Sequence, residues 1–199
     1  MREQSYCGLT LFSSYADRKY LNAAERARFI ETARLAPPKA QSFCLTLGYS
    51  GARISEVLAL TPAAIDLESG AVCILTLKRR RNDVVRQVPL PMDLLDELDH
   101  DFKLGDAQRD PELARKRMWC FSRTTAWRYV KGVMAAAGIT GTPAMPKGLR
   151  HGFGVKAFQS NVPAHLVQRW LGHASLRTTG IYADVVGPEE RAFAERMWI

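Results

Sequence analysis

Apolar positions recur along this chain at helical spacing over most of its length and give way to a strand-like pattern chiefly in one stretch. In LNAAERARFIETARLA, Ala23, Ala27, Ile30 and Ala33 lie near one helical face, and Asn22 with Glu25 three residues on is a capping-box pattern that predicts the start. PKAQSFCLTLGYSG predicts a second helix, with Pro38 near its first turn and Gly51 as its stop. ISEVLAL predicts a short third helix ended by Thr61-Pro62. The period then changes: AVCILTLK and VVRQVPLP are β-rich runs flanking RRRND, which predicts a hairpin. MDLLDELDHDF returns to helix, KLGDAQRDPELARKR reads as a polar connection, and MWCFS as a short strand ahead of the helix TTAWRYVKGVMAAAGI. Pro143 and Pro146 break the chain before LRHGFGVKAFQSN; PAHLVQRWLGH, SLRTTGIYADV and PEERAFAERMWI complete a helical C-terminal half. There is no internal repeat and no low-complexity linker. The expected fold class is mainly α with a small antiparallel β-sheet, an α+β domain.

Composition narrows the partners. The 199 residues suffice for one domain with a proper core. Lys and Arg outnumber Asp and Glu by 28 to 20, a net charge of +8 that favours polyanions, nucleic acid before anionic membrane. No stretch approaches the roughly 18 apolar residues of a membrane span, and the N-terminus lacks the apolar core of a signal peptide. Cys7, Cys44, Cys73 and Cys120 are far apart and form no CxxC, which fits reduced thiols in a cytoplasmic protein.

Several polar residues carry candidate chemistry, each with an ordinary alternative. Arg53 with Glu56 three residues on is accounted for by a surface ion pair. Lys78 with Arg79, Arg80 and Arg81 reads as a solvated turn, although a basic hairpin tip is a good shape for entering a DNA groove. Lys147, Arg150 and His151 crowd within one stretch and repel one another unless an anion lies between them. His173 sits where a histidine caps a helix end, and Tyr182 beside Ile181 reads as a half-buried core aromatic. His151, His165 and His173 lack the spacings and thiolate company of a zinc site.

Taken together, GARISEVLAL, the strand-ending lysine, KGLRHGFG and LGHASLRTTGIY resemble, in order and spacing, the tyrosine recombinases of the phage integrase family. The resemblance runs from about Lys19 to about Asp184 and implies that family's catalytic-domain fold. It divides the chain into an N-terminal extension (1–18), a catalytic domain (19–187) and a C-terminal tail helix (188–199). It implies that Arg53 and Arg150 are paired phosphate-binding arginines, with Glu56 holding the first in place. Lys78 would be the hairpin lysine, Lys147 would occupy the family's HxxR histidine position, His173 would be the late active-site histidine and Tyr182 the nucleophile. Arg79, Arg80 and Arg81 would bind DNA. The partners implied are double-stranded DNA and further copies of the chain, as dimer or tetramer on DNA, with no membrane.

These residue types suit the chemistry. A phosphodiester attacked in line gathers negative charge on its non-bridging oxygens, which two guanidiniums can clamp while staying charged. A phenol, with a pKa of about 10, needs such help to attack. Lys78 has a displaceable proton for the departing 5′-hydroxyl. The implied 3′-phosphotyrosine conserves the bond energy for religation, so neither nucleotide nor metal cofactor is expected. The expected activity is site-specific recombination or integration. The alternatives are type IB topoisomerase-like cleavage and a DNA-binding regulator that keeps the fold without catalysis.

Two features depart from the family pattern. Lys147 stands where His is usual, which leaves deprotonation of Tyr182 without an obvious base. His151, one residue past Arg150, is turned about 100° from it around the helix and is not expected to substitute. The chain also lacks room for the N-terminal core-binding domain of most members, in which it is similar to the fimbrial-switch invertases; Met1 at its start reads as a naturally short protein.

In PEERAFAERMWI, Pro188 suits a first turn, Glu189 and Glu190 suit the positive helix end, and Phe193 and Met197 share a face. So short a helix needs a docking surface. Packing on its own domain is the ordinary arrangement, while the family resemblance implies docking on a neighbouring protomer.

Overall fold

The first helix begins where Asn22 and Glu25 predict it. Asn22 Oδ1 accepts from the Glu25 amide at 2.8 Å, and Glu25 Oε2 accepts from the Asn22 amide at 2.9 Å, opening α1 (Ala23–Arg34). Its inward face differs from the predicted stripe: Phe29, Ile30 and Ala33 are buried, whereas Ala23 and Ala27 are exposed. Burying the Phe29 ring removes far more apolar surface than two methyl groups, so the helix is rotated to suit it. The computed structural model describes residues 10–13, 15, 17–76, 84–183, 195, 197 and 198.

Helix α2 (Pro38–Ser50) runs through the centre, with Phe43, Cys44, Leu45 and Leu47 buried. Its buried hydroxyls are satisfied within the helix: Ser42, Thr46 and Ser50 donate to the carbonyls of Pro38, Ser42 and Thr46 at 3.1, 2.8 and 2.6 Å. Gly51 ends it as predicted. Helix α3 (Ile54–Val57) is shorter than ISEVLAL implies, and a 3-10 turn at Pro62–Ala64 leads into the sheet.

Strands β1 (Ile65–Asp66), β2 (Ala71–Leu75) and β3 (Val85–Pro89) form an antiparallel sheet in that order. Ala71 lies opposite Pro89 and Leu75 opposite Val85, so the two predicted β-runs pair as a hairpin. Two-residue β1 is too short to show alternation in the sequence.

Helix α4 (Met92–Phe102) follows. The predicted polar connection contains a short α5 (Leu104–Ala107) and a 3-10 turn at Leu113–Arg115. MWCFS forms no strand. Trp119 instead turns into the core, where Phe43 and Phe102 meet it edge-on at 5.5 and 5.4 Å between ring centroids. Helices α6 (Arg123–Ala136), α7 (Pro146–Gln159), α8 (Ala164–Leu171) and α9 (Leu176–Gly180) complete the described chain. Pro146 does not break the chain here; it occupies the first turn of α7, where its missing N–H costs nothing.

Two apolar clusters result. The larger joins α1 to α4, the sheet and α6 around Phe43, Leu45, Leu94 and Val130. The smaller gathers Leu11, Tyr20, Val155, Val167, Leu171 and Tyr182, drawing on both ends of the chain. Among the described residues no helix is long and apolar enough to cross a membrane. Cys44, Cys73 and Cys120 carry free thiols, and burial pushes that of Cys44 up to about 12.

Phe43 also meets Phe121 edge-on at 5.3 Å and is fully buried, so it sits at the crossing of the aromatic contacts. Phe43→Ala is expected to cost about 3–5 kcal/mol, the usual cost of deleting a buried ring. Urea denaturation monitored by circular dichroism measures this; a loss below about 1 kcal/mol would contradict the packing described.

Candidate active site

The site is built on a buried carboxylate. Glu56, on α3 and 1% exposed, accepts the Arg53 amide at 2.9 Å and an Arg53 guanidinium N–H at 2.6 Å. It also accepts Arg86 Nη2 at 2.6 Å. Burial pushes the Glu56 carboxyl up, but Arg86, the Arg53 amide and the Arg53 guanidinium outweigh it and hold it below the usual range. The i,i+3 pair is therefore not a surface pair: Arg53 is partly exposed at the end of a buried Arg86–Glu56 bridge.

Arg86 is absent from the candidates read in the sequence, yet it ties three elements together. It extends from β3 and is 3% exposed. Besides Glu56, it donates through Nη1 to Thr76 Oγ1 at 2.9 Å and through Nε to the Trp170 carbonyl of α8 at 2.7 Å. A signal exists in the pattern: Arg86 shares strand parity with buried Val88 and Leu90, an unpaired-looking charge on an inward face. Gly172, at φ 64°, caps α8 against it; a Cβ there would lie 3.0 Å from Arg86 Nη1 and 3.1 Å from Thr76 Oγ1.

Arg150 comes from α7 and is 8% exposed. Its Nη1 donates to the Gly51 carbonyl at 2.7 Å and its Nη2 to the Leu171 carbonyl at 2.5 Å. These bonds bring it beside Arg53, two residues past Gly51, and beside His173, two residues past Leu171. Burial, then the Arg53 cation, lowers Arg150 to about 10, so it keeps its charge at neutral pH. Three guanidiniums thus face one carboxylate, Glu56, among the described residues of this centre.

Tyr182 follows α9 and is 2% exposed. Its ring lies against α7 where residue 154 is glycine; a Cβ there would be 2.7 Å from the ring. His173 stacks on it at 6.1 Å between centroids and 16° between planes, with Nδ1 3.0 Å from Thr179 Oγ1. Burial raises the Tyr182 phenol, and Arg150 and Arg53 pull it partly back.

His151 lies closer to Tyr182 than its turn away from Arg150 suggests. Its Nδ1 lies 3.1 Å from Tyr182 Oη. The turn of about 100° away from Arg150 is real, but it carries His151 onto the α7 face shared with Lys147, Gly154 and Phe158, along which Tyr182 packs. Lys147 itself is exposed at the start of α7. Lys78, Arg79, Arg80 and Arg81 lie outside the described residues, as does the tail from Pro188 to Ile199 apart from Glu195, Met197 and Trp198.

Burial, then Lys147 and Arg150, lowers His151 to about 4; burial, then Arg150 and Arg53, lowers His173 to about 3. In the unfolded chain both titrate near 6.5, so unfolding takes up protons once the pH drops below that value. The melting temperature should accordingly fall from pH 6.5 toward pH 4. His151→Gln and His173→Gln together should flatten that fall. Differential scanning fluorimetry across the range tests it; an equal fall in the double variant would contradict neutral, buried histidines.

Residues 19–187 match the profile described as the phage integrase family. The chain is similar to the tyrosine recombinase XerA of Pyrococcus furiosus, 30% identical over 182 residues, covering 89% of this chain and 61% of the relative. It is also similar to the tyrosine recombinase XerD of Shewanella oneidensis, 32% identical over 142 residues, covering 68% of this chain and 46% of the relative. It thus spans roughly half to three-fifths of these relatives. The fold is shared with a crystal structure of XerA recombinase, at TM-score 0.71 and 24% identity, over 89% of this chain and 64% of that one. It is shared too with XerH site-specific recombinase bound to its difH substrate in a pre-cleavage complex, at TM-score 0.70 and 20% identity, over 94% and 60% of the two chains. With its mainly helical fold, three-stranded sheet and matching residues 19–187, the chain belongs to the phage integrase family.

Proposed function

We propose that this chain cuts and rejoins double-stranded DNA at specific sites through a 3′-phosphotyrosine on Tyr182. The observation that carries this reading is the buried Tyr182 phenol with His173 stacked on its ring, in a centre where Arg150 is bonded to the carbonyls of Gly51 and Leu171, two residues before Arg53 and His173, and where both arginines pull the phenol down against burial. Positive charge exceeds negative charge in a largely buried site, a combination that favours an anion between the arginines.

In this reading the non-bridging oxygens of the scissile phosphate lie on Arg53 and Arg150, and Glu56 fixes Arg53. Tyr182 Oη forms a bond to phosphorus as the bond from phosphorus to the 5′-oxygen breaks. Lys78 gives its proton to that 5′-oxygen, and His173 hydrogen-bonds the phosphate. Arg79, Arg80 and Arg81, which lie in sequence between the two paired strands, follow the DNA backbone or groove. Rejoining reverses these steps with a new 5′-hydroxyl.

Tyr182→Phe should abolish covalent attachment to a nicked suicide substrate from the chain's genomic flanks while leaving the mobility shift nearly intact. Arg53→Ala and Arg150→Ala should each slow attachment by roughly 10²-fold or more, the scale for losing one charge-stabilising donor. Lys147→Ala should cost less. An adduct formed by Tyr182→Phe would reassign the nucleophile. Relaxation of plasmid without sequence preference would indicate topoisomerase-like activity instead, and DNA binding without any adduct a regulator.

We further propose that residues 19–187 act as the catalytic domain, that 1–18 form an extension to it, and that the tail helix 188–199 docks on a neighbouring protomer. Met197 and Trp198 support trans docking, since they are 78% and 67% exposed on their own chain. Deleting Pro188 to Ile199 should leave melting and half-site binding close to normal but prevent assembly of paired sites. A large fall in melting temperature would place the tail on its own domain.

A further inference from the structure

The proposed reaction leaves one proton without a destination. As Tyr182 Oη bonds to phosphorus, the phenol must give up its hydrogen. Lys147 is poorly suited to receive it, because an ammonium has no lone pair to offer until it has itself lost a proton. His151 lies one turn further along α7, about 40° around the helix from Lys147, and its Nδ1 is 3.1 Å from Tyr182 Oη. We propose that His151 accepts the Tyr182 proton and so takes the place of the base that Lys147 cannot supply. This rests on Tyr182 being the nucleophile.

The surroundings of His151 suit this role. The charged and titratable groups facing it are Lys147 and Arg150 on α7, Lys19 from the segment before α1, His173 across the Tyr182 ring, and Tyr182 itself. The three cations and burial keep the imidazole neutral, so Nδ1 can present a lone pair to the phenol. A phosphate held on Arg53 and Arg150 would offset those cations and raise the proton affinity of His151 at the moment the phenol ionises. His173 is arranged differently: its ring lies parallel to that of Tyr182, and its Nδ1 faces Thr179 Oγ1. His151 is tilted by 55°, with a ring nitrogen aimed at Oη.

The step balances without a further reactant. The hydrogen passes from Oη to Nδ1 as the bond from Oη to phosphorus forms. When a 5′-hydroxyl attacks the phosphotyrosine, Oη leaves and recovers that hydrogen from Nδ1.

Two measurements test the proposal. In protein labelled with ¹⁵N-histidine, long-range ¹H–¹⁵N spectra at neutral pH should show an unprotonated Nδ1 on His151, shifted in Tyr182→Phe. A protonated Nδ1 donating to Oη would overturn it. In single-turnover attachment, His151→Asn should be slowed by roughly 10²-fold or more with unchanged DNA binding, because Asn can accept a hydrogen bond but not a proton. A bridging sulfur at the 5′ position, which removes the need to protonate the leaving group, should not rescue it. Attachment by His151→Asn at the wild-type rate, or rescue by sulfur, would overturn the proposal alone. Failure of the wild-type protein to form any adduct would overturn the functional reading and the proposal with it.

Discussion

The carboxylate of Glu56 is the contact on which the rest of the site depends. It is nearly free of solvent and takes donors from Arg53, just ahead of α3, and from Arg86 on β3 at once. Through Arg86 the same network reaches Thr76 at the end of β2 and Trp170 near the end of α8. A buried carboxylate stripped of one such partner costs about 3–5 kcal/mol, so each element is held against the others by a penalty for parting. The guanidinium of Arg53 is thereby held in one orientation by the fold itself, without the help of a ligand.

The two histidines and the arginines divide the electrostatic work. Arg150, although buried, remains charged because its hydrogens meet two backbone carbonyls and its intrinsic basicity is high. His151 and His173 yield instead and stay neutral. Without this division the centre would hold two more positive charges with a single carboxylate to balance them. Tyr182 shares the same enclosed space, shielded from water by Gly154, Phe158 and the two imidazoles.

What was legible in the sequence was local or carried by motif spacing. The Asn22–Glu25 box, the stop at Gly51 and the hairpin between two β-rich runs each depend on neighbouring residues, and each forms as read. Arg53, Glu56, Arg150, His173 and Tyr182 are recognisable by order, and the folded chain brings them together. Arg86 escaped because its three partners come from three distant segments, and a lone arginine in a strand looks exposed by default. His151 escaped because its position was judged against Arg150 alone. The decisive surface is the α7 stripe beneath Tyr182, defined by contacts that follow α9. MWCFS looked like a strand because aromatic residues favour both strands and cores, and only the packing of Trp119 on Phe43 separates the two.

The smaller apolar cluster joins Leu11 and Tyr20 to Tyr182, so opposite ends of the chain meet around one ring. A growing polypeptide folds from its N-terminus as it emerges from the ribosome. The larger cluster can consolidate while α8 and α9 are still being made, but the pocket around Tyr182 closes only after α9 and the residues just past it have emerged. A chain truncated before α9 would therefore retain much of its hydrophobic core and lack the enclosure around position 182 altogether. Synthesis order thus separates consolidation of the core from closure of the pocket around Tyr182.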